Sequence, residues 1–524
     1  MVTFEILIVL IFLAAILVGV AQKIQIPYPI ILVLGGIAIG FIPHLQVISF
    51  DPNLILIVVL PPILYYAAFS LSFREFKTHW REIFSLSLGL VILTTVLIGL
   101  LFKWIFPQFP WALAFAFGAI ISPPDAVAAT TILKRFSISP RVQAILEGES
   151  LVNDASALVL YRLAVAALLS GVFSFADASI EFVKIVAGGT LVGLVLGLGL
   201  QNFSRRFLEP VSGVLFSITM PYVTYITAQV LDVSGVLAVV VNGLIGARIV
   251  ARHHVALRRV LGFAFWDIYV ILINCFIFVL IGLHLREFVI KMNFTQVALY
   301  MVYAALITLA LIIIRLLWVY SKSGIAYFKA FRNPKKSSLC PQILREATII
   351  GWSGMRGIVS LTAALALPFF TSDGSVIEGR DEVIFMTFVV ILITLLLPSS
   401  TLAYLVRWMK IEHHVGHHEA HQARGRLAKV AEEKILHFHQ SNNINEREFN
   451  FLKNYFSSQR FIFEMSNSHL KKMSNLELIR LKILQALRKE LVGMWERQEI
   501  DDKLFRELEH ELDVEESHIA RAGL

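Results

Sequence analysis

The chain has 524 residues, of which 57% are hydrophobic and 16% are charged, and its mean hydropathy is +0.73. A soluble domain is closer to half apolar and a quarter charged, so this composition excludes a purely soluble enzyme or nucleic-acid-binding protein. Residues 1–410 carry a net charge of +10 and residues 411–524 a net charge of −2. The basic balance therefore belongs to the apolar part, where Lys and Arg orient membrane helices, and does not indicate a nucleic-acid partner.

Hydropathy, read together with charged and Pro/Gly breaks, predicts an all-α polytopic membrane protein with thirteen candidate spans. A membrane-spanning helix needs roughly 20 mostly apolar residues. The first segment carries Glu5 and has no preceding basic residue, which favours a first helix over a cleaved signal peptide. The candidates lie near 3–21, 27–43, 53–70, 83–106, 111–132, 142–170, 179–200, 211–230, 233–250, 259–282, 295–320, 344–368 and 381–409.

Lys and Arg are distributed unevenly over the connections between these spans. Alternate connections, counted from the first, hold 19 basic residues, whereas the opposite set holds about 5. Because basic residues stay on the cytoplasmic side of membrane helices, the pattern predicts an external N-terminus, a cytoplasmic C-terminus and an odd number of spans. We therefore expect a multi-pass protein of the cell (inner) membrane.

Residues 411–524 have a different character and are predicted to form a cytoplasmic helical tail. This segment has no proline and is rich in Glu, Lys, Arg and Leu at helical spacing. A dimer-supporting or regulatory role and a passive helical tail are both open. A histidine cluster near its start is compatible with zinc binding, with pH sensing or with a polar juxtamembrane helix; its members are His413, His414, His417, His418 and His421.

The fifth span, FGAIISPPDAVAAT, contains two consecutive prolines. Pro123 and Pro124 remove two amide donors and clash with the preceding turn, so the helix should break there. Broken backbone at membrane depth is tolerated only where protein or a water-filled cavity satisfies the freed carbonyl groups. Asp125 at the break is predicted to cap the second half of the helix, to build a site, or to do both.

The sixth span contains a polar patch formed by Glu149, Ser150, Asn153 and Asp154. These side chains fall on neighbouring positions over a turn and a half of helix, and oxygen ligands of this kind suit a hard cation. Apolar residues around Asp154 disfavour its charged form. This carboxylate is therefore expected to hold either a proton or a metal cation, although an Asp that is hydrogen-bonded to a neighbouring helix is the structural alternative.

The twelfth span, REATIIGWSGMRGIVSLTAALALP, places Arg356 deep in the membrane between two glycines. A buried arginine requires an anionic partner, and the candidates are Asp125, Glu149, Asp154 and Asp267. We predict that Arg356 pairs with Glu149, which leaves Asp154 free to titrate. Arg315 in the eleventh span is assigned a snorkelling or structural role near the cytoplasmic end of its helix.

The two most interrupted spans, the fifth and the twelfth, are seven spans apart. If spans 1–6 and 8–13 are copies that are joined by span 7, these two occupy matching positions in inverted repeats. Interrupted helices in corresponding positions are typical of the midplane binding site of a secondary transporter.

Four stretches resemble bacterial sodium/proton antiporters of the NhaP/NHE type, the electroneutral branch of the monovalent cation/proton antiporters. They are GAIISPPDAVA (118–128), EGESLVNDASALV (147–159), GWSGMRGIVSLTAALALP (351–368) and LPPILYYA (60–67). The resemblance covers residues 1–410. It implies thirteen spans with inverted repeats, a dimerisation domain, and a six-helix core with crossed, unwound helices.

The resemblance also implies roles for individual residues and shows two departures. Pro124 stands where the family often has a Thr that contributes to the cation site, and Tyr66 stands where it often has a Glu. The implied roles are Asp154 as the cation- and proton-binding carboxylate, Glu149 and Ser150 as helper ligands, Asn153 as the partner of the unwound chain, Asp125 as the acid of the crossing helix, and Arg356 as the core arginine.

The expected function is secondary active antiport of Na+ (or Li+) against H+, one for one, by a homodimer in a lipid bilayer, without a cofactor. It is not an enzyme on this interpretation. A K+/H+ antiporter with the same core and a cation channel are the alternatives. A membrane hydrolase that uses Ser150 is disfavoured, because no membrane-embedded His is placed to activate it. Cys275 and Cys340 have no spacing typical of a disulfide framework or a metal site.

Overall fold

The computed structural model describes most of the chain, and its regular elements are helices. An isolated β-bridge joins Phe370 and Val376. The described residues are 2–24, 28–40, 52–133, 136, 138–171, 175–253, 256–291, 293–331, 340–372, 374–409, 417–441, 443–457 and 474–522.

The helices follow one another with short connections. The elements up to residue 170 are α1 (Val2–Ile24), α2 (Tyr28–Gly40), α3 (Pro52–Ser70), α4 (Phe73–Thr78), α5 (Trp80–Phe84), a π-helix (Ser85–Leu90), α6 (Val91–Ile105), α7 (Trp111–Ile121), α8 (Ala126–Leu133) and α9 (Pro140–Ser170). The next are α10 (Phe175–Phe207), α11 (Pro210–Val230), α12 (Gly235–His253), α13 (Ala256–Lys291), α14 (Phe294–Phe331), α15 (Cys340–Trp352), α16 (Ile358–Leu365) and α17 (Arg380–Trp408). The last are α18 (His417–Gln440), α19 (Glu446–Ser457), α20 (Ser474–Glu496) and α21 (Asp502–Ala522).

Each predicted span coincides with one helix or with consecutive helices, because a long apolar run satisfies its backbone hydrogen bonds internally only as a helix. The predicted fourth span is α5, the π-helix and α6, the fifth is α7 and α8, and the twelfth is α15 and α16. The prediction of an all-α fold is confirmed. Of the described helices, 7 are long and apolar enough to cross a membrane by length and composition; the count of thirteen and the inverted repeat stay predictions.

The helices up to α17 pack as two bundles. The scaffold bundle consists of α1–α3 and α10–α13, in which α13 lies along α2 and α12 lies between α3 and α10. The core bundle consists of α4–α9, the π-helix and α14–α17, in which α7 packs on α6 and α9, and α14 packs on α15 and α17. Most of the helix packing is therefore within a bundle, and fewer contacts join the two.

Apolar side chains fill the contact between the bundles. Leu64 of α3 and Trp266 of α13 belong to the same buried cluster as Leu151 and Ala155 of α9. This contact lies beside Asp154, because Asp154 directly precedes Ala155 in the chain. The face of α9 that carries the polar patch is thus close to the boundary between scaffold and core.

Large apolar side chains also face outward from both bundles. Examples are Leu191 and Val195 of α10, Leu215 of α11 and Leu309 of α14, each about three-fifths exposed. Exposed apolar surface on this scale is costly in water, but it is the expected surface of helices in lipid, where hydrocarbon replaces water as the solvent. The chain is a multi-pass membrane protein.

The helices α18 to α21 pack on one another around an apolar cluster of their own. The cluster contains Leu427 and Ile435 of α18, Ile483 and Leu487 of α20, and Leu508 of α21, all buried. The amphipathic spacing of α21 places its leucines on one face and its acidic residues on the others. This tail therefore has a packed interior, and α21 also contacts α4 and α13.

Candidate functional site

The fifth span is broken at the predicted position. The helix α7 ends at Ile121 and α8 begins at Ala126, and the intervening residues 122–125 are not helical. Pro123 and Pro124 explain the break, because neither residue can donate a backbone hydrogen bond to the preceding turn. The prediction of an interrupted fifth span is confirmed.

The twelfth span is broken as well, and the two breaks meet. The helix α15 ends at Trp352 and α16 begins at Ile358. The backbone N–H of Asp125 donates to the carbonyl oxygen of Met355 at 2.6 Å. A Cβ atom on Gly357 would collide with the Asp125 carboxylate. The extended segments therefore cross at van der Waals distance, which glycine permits and which a bulkier residue would prevent.

We expect Gly357→Ala to disrupt this crossing. Overpacking a tight contact typically costs about 1–3 kcal/mol. The atoms that the new methyl group would meet are the Cβ atom and the carboxylate of Asp125, which lie close to the backbone and cannot easily move away. The temperature at which the detergent-solubilised protein loses its monodisperse peak should fall by several degrees. The matched control is Gly199→Ala in α10, where a Cβ atom meets nothing within 4 Å; it should be neutral or slightly stabilising. Equal melting of the two variants would contradict a tight crossing.

Side chains of α9 hold the first break in place. The Asn153 Nδ2 atom donates to the carbonyl oxygen of Pro124 at 2.8 Å, and the N–H of Ala126 donates to the Ser150 Oγ atom at 3.3 Å. Asn153 and Ser150 thus satisfy a freed carbonyl and an unpaired helix N-terminal amide. The Asn153 Oδ1 atom is buried and accepts no hydrogen bond from the described residues.

Arg356 is buried at the crossing and binds backbone carbonyl groups. Its Nε atom donates to the Ile121 carbonyl at 2.9 Å, and its Nη1 atom donates to the Gly354 carbonyl at 2.6 Å. Its own N–H donates to the Thr394 hydroxyl at 3.1 Å. The C-terminal end of a helix carries partial negative charge, so the guanidinium stabilises the broken end of α7. The predicted pairing of Arg356 with Glu149 is wrong.

The partner of Glu149 is Arg315 of α14. The two form a bidentate pair, with Nη2 to Oε2 at 2.8 Å and Nη1 contacting Oε1, and Arg315 also donates to the Ile350 carbonyl at 2.9 Å. Both side chains are buried. The sequence placed Arg315 near a helix end at about residue 320, but α14 continues to Phe331. Because its guanidinium is buried and bound to Glu149 and to the Ile350 carbonyl, Arg315 does not snorkel.

Asp154 lies beside the crossing with 8% of its surface exposed. Among the described residues, no group donates a hydrogen bond to its carboxylate, and Asp125 is near enough to act on it electrostatically. Two carboxylates that share a buried site repel each other when both are charged. A bare negative charge on Asp154 is therefore disfavoured in this position.

The remaining predicted residues lie elsewhere. The Tyr66 hydroxyl donates to the Asp267 carboxylate at 2.5 Å, which joins α3 to α13 inside the scaffold bundle. Asp267 is thus not a partner of Arg356. His413 and His414 lie outside the described residues, and the side chains of the other three clustered histidines are also outside the description. The structure therefore brings Asp125, Pro124, Ser150, Asn153 and Asp154 together, with Glu149 facing Arg315.

Comparison with known proteins gives consistent matches. The family model described as "Sodium/hydrogen exchanger, transmembrane" matches residues 8–408. The protein named uncharacterized Na(+)/H(+) exchanger YjcE of Escherichia coli (strain K12) is 30% identical over 535 residues, which cover 95% of this chain and 96% of that protein. The sodium, potassium, lithium and rubidium/H(+) antiporter of Bacillus pumilus (strain SAFR-032) is 34% identical over 392 residues, covering 72% of this chain and 58% of that protein.

A solved structure has the same fold. The sodium proton antiporter MjNhaP1 from Methanocaldococcus jannaschii at pH 8 superposes with a TM-score of 0.61 at 22% identity, covering 78% of this chain and 98% of that one. The family model, the curated relatives and the fold agree with the motifs at the crossing. The chain belongs to the family of transmembrane sodium/hydrogen exchangers.

Proposed function

We propose that the chain exchanges Na+ or Li+ for H+, one for one, at Asp154. The observation that supports this assignment is the environment of that carboxylate, which is nearly buried without a hydrogen-bond donor among the described residues. By contrast, the charge of Glu149 is balanced by Arg315. Arg356 donates its hydrogen bonds to backbone carbonyl groups and not to Asp154. Asp154 is thus the carboxylate at the crossing that is best placed to take an external cation or proton.

The oxygens near Asp154 suit an alkali cation. Ser150 and Asn153 come from the same turns of α9, and the Asn153 Oδ1 atom has no donor among the described residues. Oxygen ligands are preferred by hard cations. The Pro124 carbonyl already accepts from Asn153, so we assign Pro124 to holding the break. We assign Glu149 mainly to anchoring α14, because both of its oxygens accept from Arg315.

The coupling follows from the cost of moving a charge through an apolar barrier. With a proton or an alkali cation bound, Asp154 is neutral, and the core bundle can move against the scaffold bundle. With the site empty, the same movement would carry a bare carboxylate past apolar side chains and is strongly disfavoured. Only loaded states then cross, which makes exchange obligatory and electroneutral. This scheme is an alternating-access cycle around a fixed site.

We further propose that residues 1–410 form the exchanger and that residues 411–524 lie in the cytoplasm, with the N-terminus outside. The support is the excess of Lys and Arg on alternate connections. A homodimer in the cell membrane is proposed on the family resemblance. K+ is a second candidate substrate, favoured by the Bacillus pumilus relative, whose name includes potassium.

Competition between the two ions is the direct test. In proteoliposomes with a trapped pH dye, each alkali chloride is added at several pH values and the initial rate of proton movement is measured. A tenfold rise in proton concentration should raise the apparent KM for Na+ by up to about tenfold at unchanged maximal rate, since both ions bind one site by mass action. Independence of KM from pH would contradict the shared site.

The stoichiometry is tested in the same vesicles with valinomycin and K+ as a voltage clamp. Electroneutral exchange should proceed at the same rate with and without the clamp. Acceleration by the clamp would indicate that net charge moves and would overturn the ratio of one to one. A cation channel would instead carry a steady current without obligatory proton counterflow.

A further inference from the structure

The tail helix α21 carries three buried carboxylates on one face. Asp502, Glu509 and Asp513 are spaced seven and four residues apart, and these intervals bring side chains to the same side of a helix. Charged residues are almost never fully buried unless they are paired. All three are buried, with 5%, 6% and 3% exposed, and each has a partner outside the tail.

One end of this face is attached to the scaffold bundle. Arg259 of α13 donates from its Nε atom to the Asp513 carboxylate at 2.9 Å, and its Nη2 atom donates to the same group. The Arg259 Nε atom is 3.4 Å from Glu509 Oε1. The Arg259 side chain is 2% exposed, so its charge depends on these carboxylates for compensation. Separation of α21 from α13 would leave charges without partners until water replaced them.

The other end is attached to the core bundle. Asp502 accepts from the Ser72 hydroxyl and from the N–H of Arg74, the latter at 3.0 Å. Arg74 belongs to α4, which packs against α5 and α9. The helix that carries Asp154 is therefore one packing layer away from the tail.

These two attachments lie on either side of the connection between the bundles. Residues 71–72 join α3 of the scaffold to α4 of the core, and Arg506 of α21 donates to the carbonyl of Ser70, the last residue of α3. Asp502 and Asp513 are separated by eleven residues of one helix, a rigid span of about 16 Å. A displacement of one bundle against the other changes the distance that this helix bridges, and so must break at least one attachment.

We propose that α21 is a strap that joins the two bundles and slows the exchange cycle while it is docked, and that a rise in cytoplasmic pH releases it. This inference rests on the proposed function, because a strap restrains exchange only if the bundles move against each other.

The pH dependence follows from the surroundings of Glu509. Burial raises the pKa of its carboxyl to about 7, while Arg259 opposes the rise and Asp513 adds to it. When α21 leaves α13, Glu509 regains water and its pKa returns toward the ordinary value. The docked strap thus holds the proton more tightly. Docking is strongest below the ordinary pKa of a glutamate, weakens by up to about tenfold for each pH unit from there to about pH 7, and is nearly constant above about pH 8. It is therefore a few-fold weaker at about pH 8.5 than at about pH 6.5.

The charged groups around Glu509 come from each helix that packs on this face. They are Arg259 from α13, Arg488 from α20, and Arg506 and Asp513 from α21 itself. Arg488 donates to the Asp513 carboxylate at 2.5 Å within the tail. Removal of Arg259 therefore leaves Asp513 a partner, so the tail keeps an internal ion pair when it undocks.

The first experiment removes the scaffold attachment from the full-length chain. Everted membrane vesicles expose the cytoplasmic face, and dequenching of an acridine dye on addition of Na+ reports exchange. Arg259→Gln should raise the initial rate about threefold or more at about pH 6.5, because a buried ion pair is lost, and by less at about pH 8.5, where the strap is already loosened. The matched control is Arg497→Gln, an exposed arginine whose partners Glu490 and Glu499 lie within the tail; it should equal the wild type.

The second experiment holds the strap in place. Both attachments are locked together: Ser72→Cys with Asp502→Cys at the core end and Arg259→Cys with Asp513→Cys at the scaffold end. The four substitutions are combined in a chain with Cys275→Ser and Cys340→Ser, and each pair is joined in the vesicles by a bis-methanethiosulfonate reagent, whose disulfides can be reduced. Cross-linking should lower the rate about tenfold or more, since opening becomes rate-limiting, and reduction should restore it.

A third variant isolates the titrating group. Glu509→Gln is neutral at every pH, so its strap stays docked. It should exchange at the wild-type rate at about pH 6.5 and about threefold below the wild type at about pH 8.5.

The outcomes separate this inference from the proposed function. The strap is overturned if the cross-linked protein exchanges as fast as the reduced protein, or if Arg259→Gln equals Arg497→Gln at both pH values. If Arg259→Gln yields no folded protein, the cross-link decides. If the wild-type chain moves no protons with any alkali cation, both the proposed function and the strap are contradicted. If the wild type exchanges and cross-linking does not change the rate of the variant, only the strap is contradicted.

Discussion

Asp154→Asn is expected to reduce alkali-cation-dependent proton movement to the rate of protein-free vesicles. An amide neither releases a proton at physiological pH nor balances the charge of a bound cation, so no pair of loaded states remains to be exchanged. The loss should appear with Na+, Li+ and K+ alike and at every pH, since all compete for one carboxylate. Dye dequenching in proteoliposomes measures it.

The folded protein should tolerate this change. A buried carboxylate without a hydrogen-bond donor is destabilising, and its replacement by a neutral amide of the same shape should leave the melting temperature equal or higher. The matched control is Asp381→Asn at the start of α17, a half-exposed carboxylate beside Arg380, which should exchange normally. Sustained exchange by Asp154→Asn would refute the assignment of the site.

Arg315→Gln is expected to have the largest effect on stability. It leaves Glu149 buried without its bidentate partner, and loss of one member of a buried ion pair costs about 3–5 kcal/mol. It also frees the Ile350 carbonyl, which accepts from the same guanidinium. The measurement is the midpoint of heat-induced loss of the monodisperse peak in detergent.

A double-mutant cycle separates the pair from its surroundings. Glu149→Gln combined with Arg315→Gln should recover part of the loss, because neither buried charge remains uncompensated. Lys184→Gln, which removes an exposed pair with Glu181 at 3.9 Å, is the control and should cost less than about 1 kcal/mol. Melting of Arg315→Gln at the wild-type temperature would contradict a structural ion pair at this position.

Much of the fold is readable from the sequence because it depends on residues that are neighbours in the chain. Apolar runs of membrane-spanning length form helices whatever packs on them. Pro123 and Pro124 break their helix by the loss of amide donors, and the glycine-rich stretch around Arg356 opens at residues 353–357. The patch from Glu149 to Asp154 follows from helical spacing alone. The same contiguous stretches are the ones that resemble the antiporter family.

The partners of the charged groups were not readable in the same way. Opposite charge and predicted burial favour a pair of Arg356 with Glu149, but which charges meet depends on the rotation and packing of helices that are distant in sequence. Glu149 and Arg315 are 166 residues apart, and only the packing of α14 on α15 and beside α9 brings their side chains together. Arg356 then binds the freed carbonyl groups at the end of α7, and backbone acceptors of this kind leave no signal in the sequence.

The amino-acid sequence by itself determined where the helices run, where two of them break and which carboxylate lies among apolar residues, because backbone hydrogen bonding and hydropathy act over a few adjacent residues. Only the tertiary structure decided that the two breaks cross at Asp125 and Met355, that Arg315 neutralises Glu149, and that the acidic face of α21 meets Arg259. Those contacts join groups tens to hundreds of residues apart, and their energies exist only once the helices have packed.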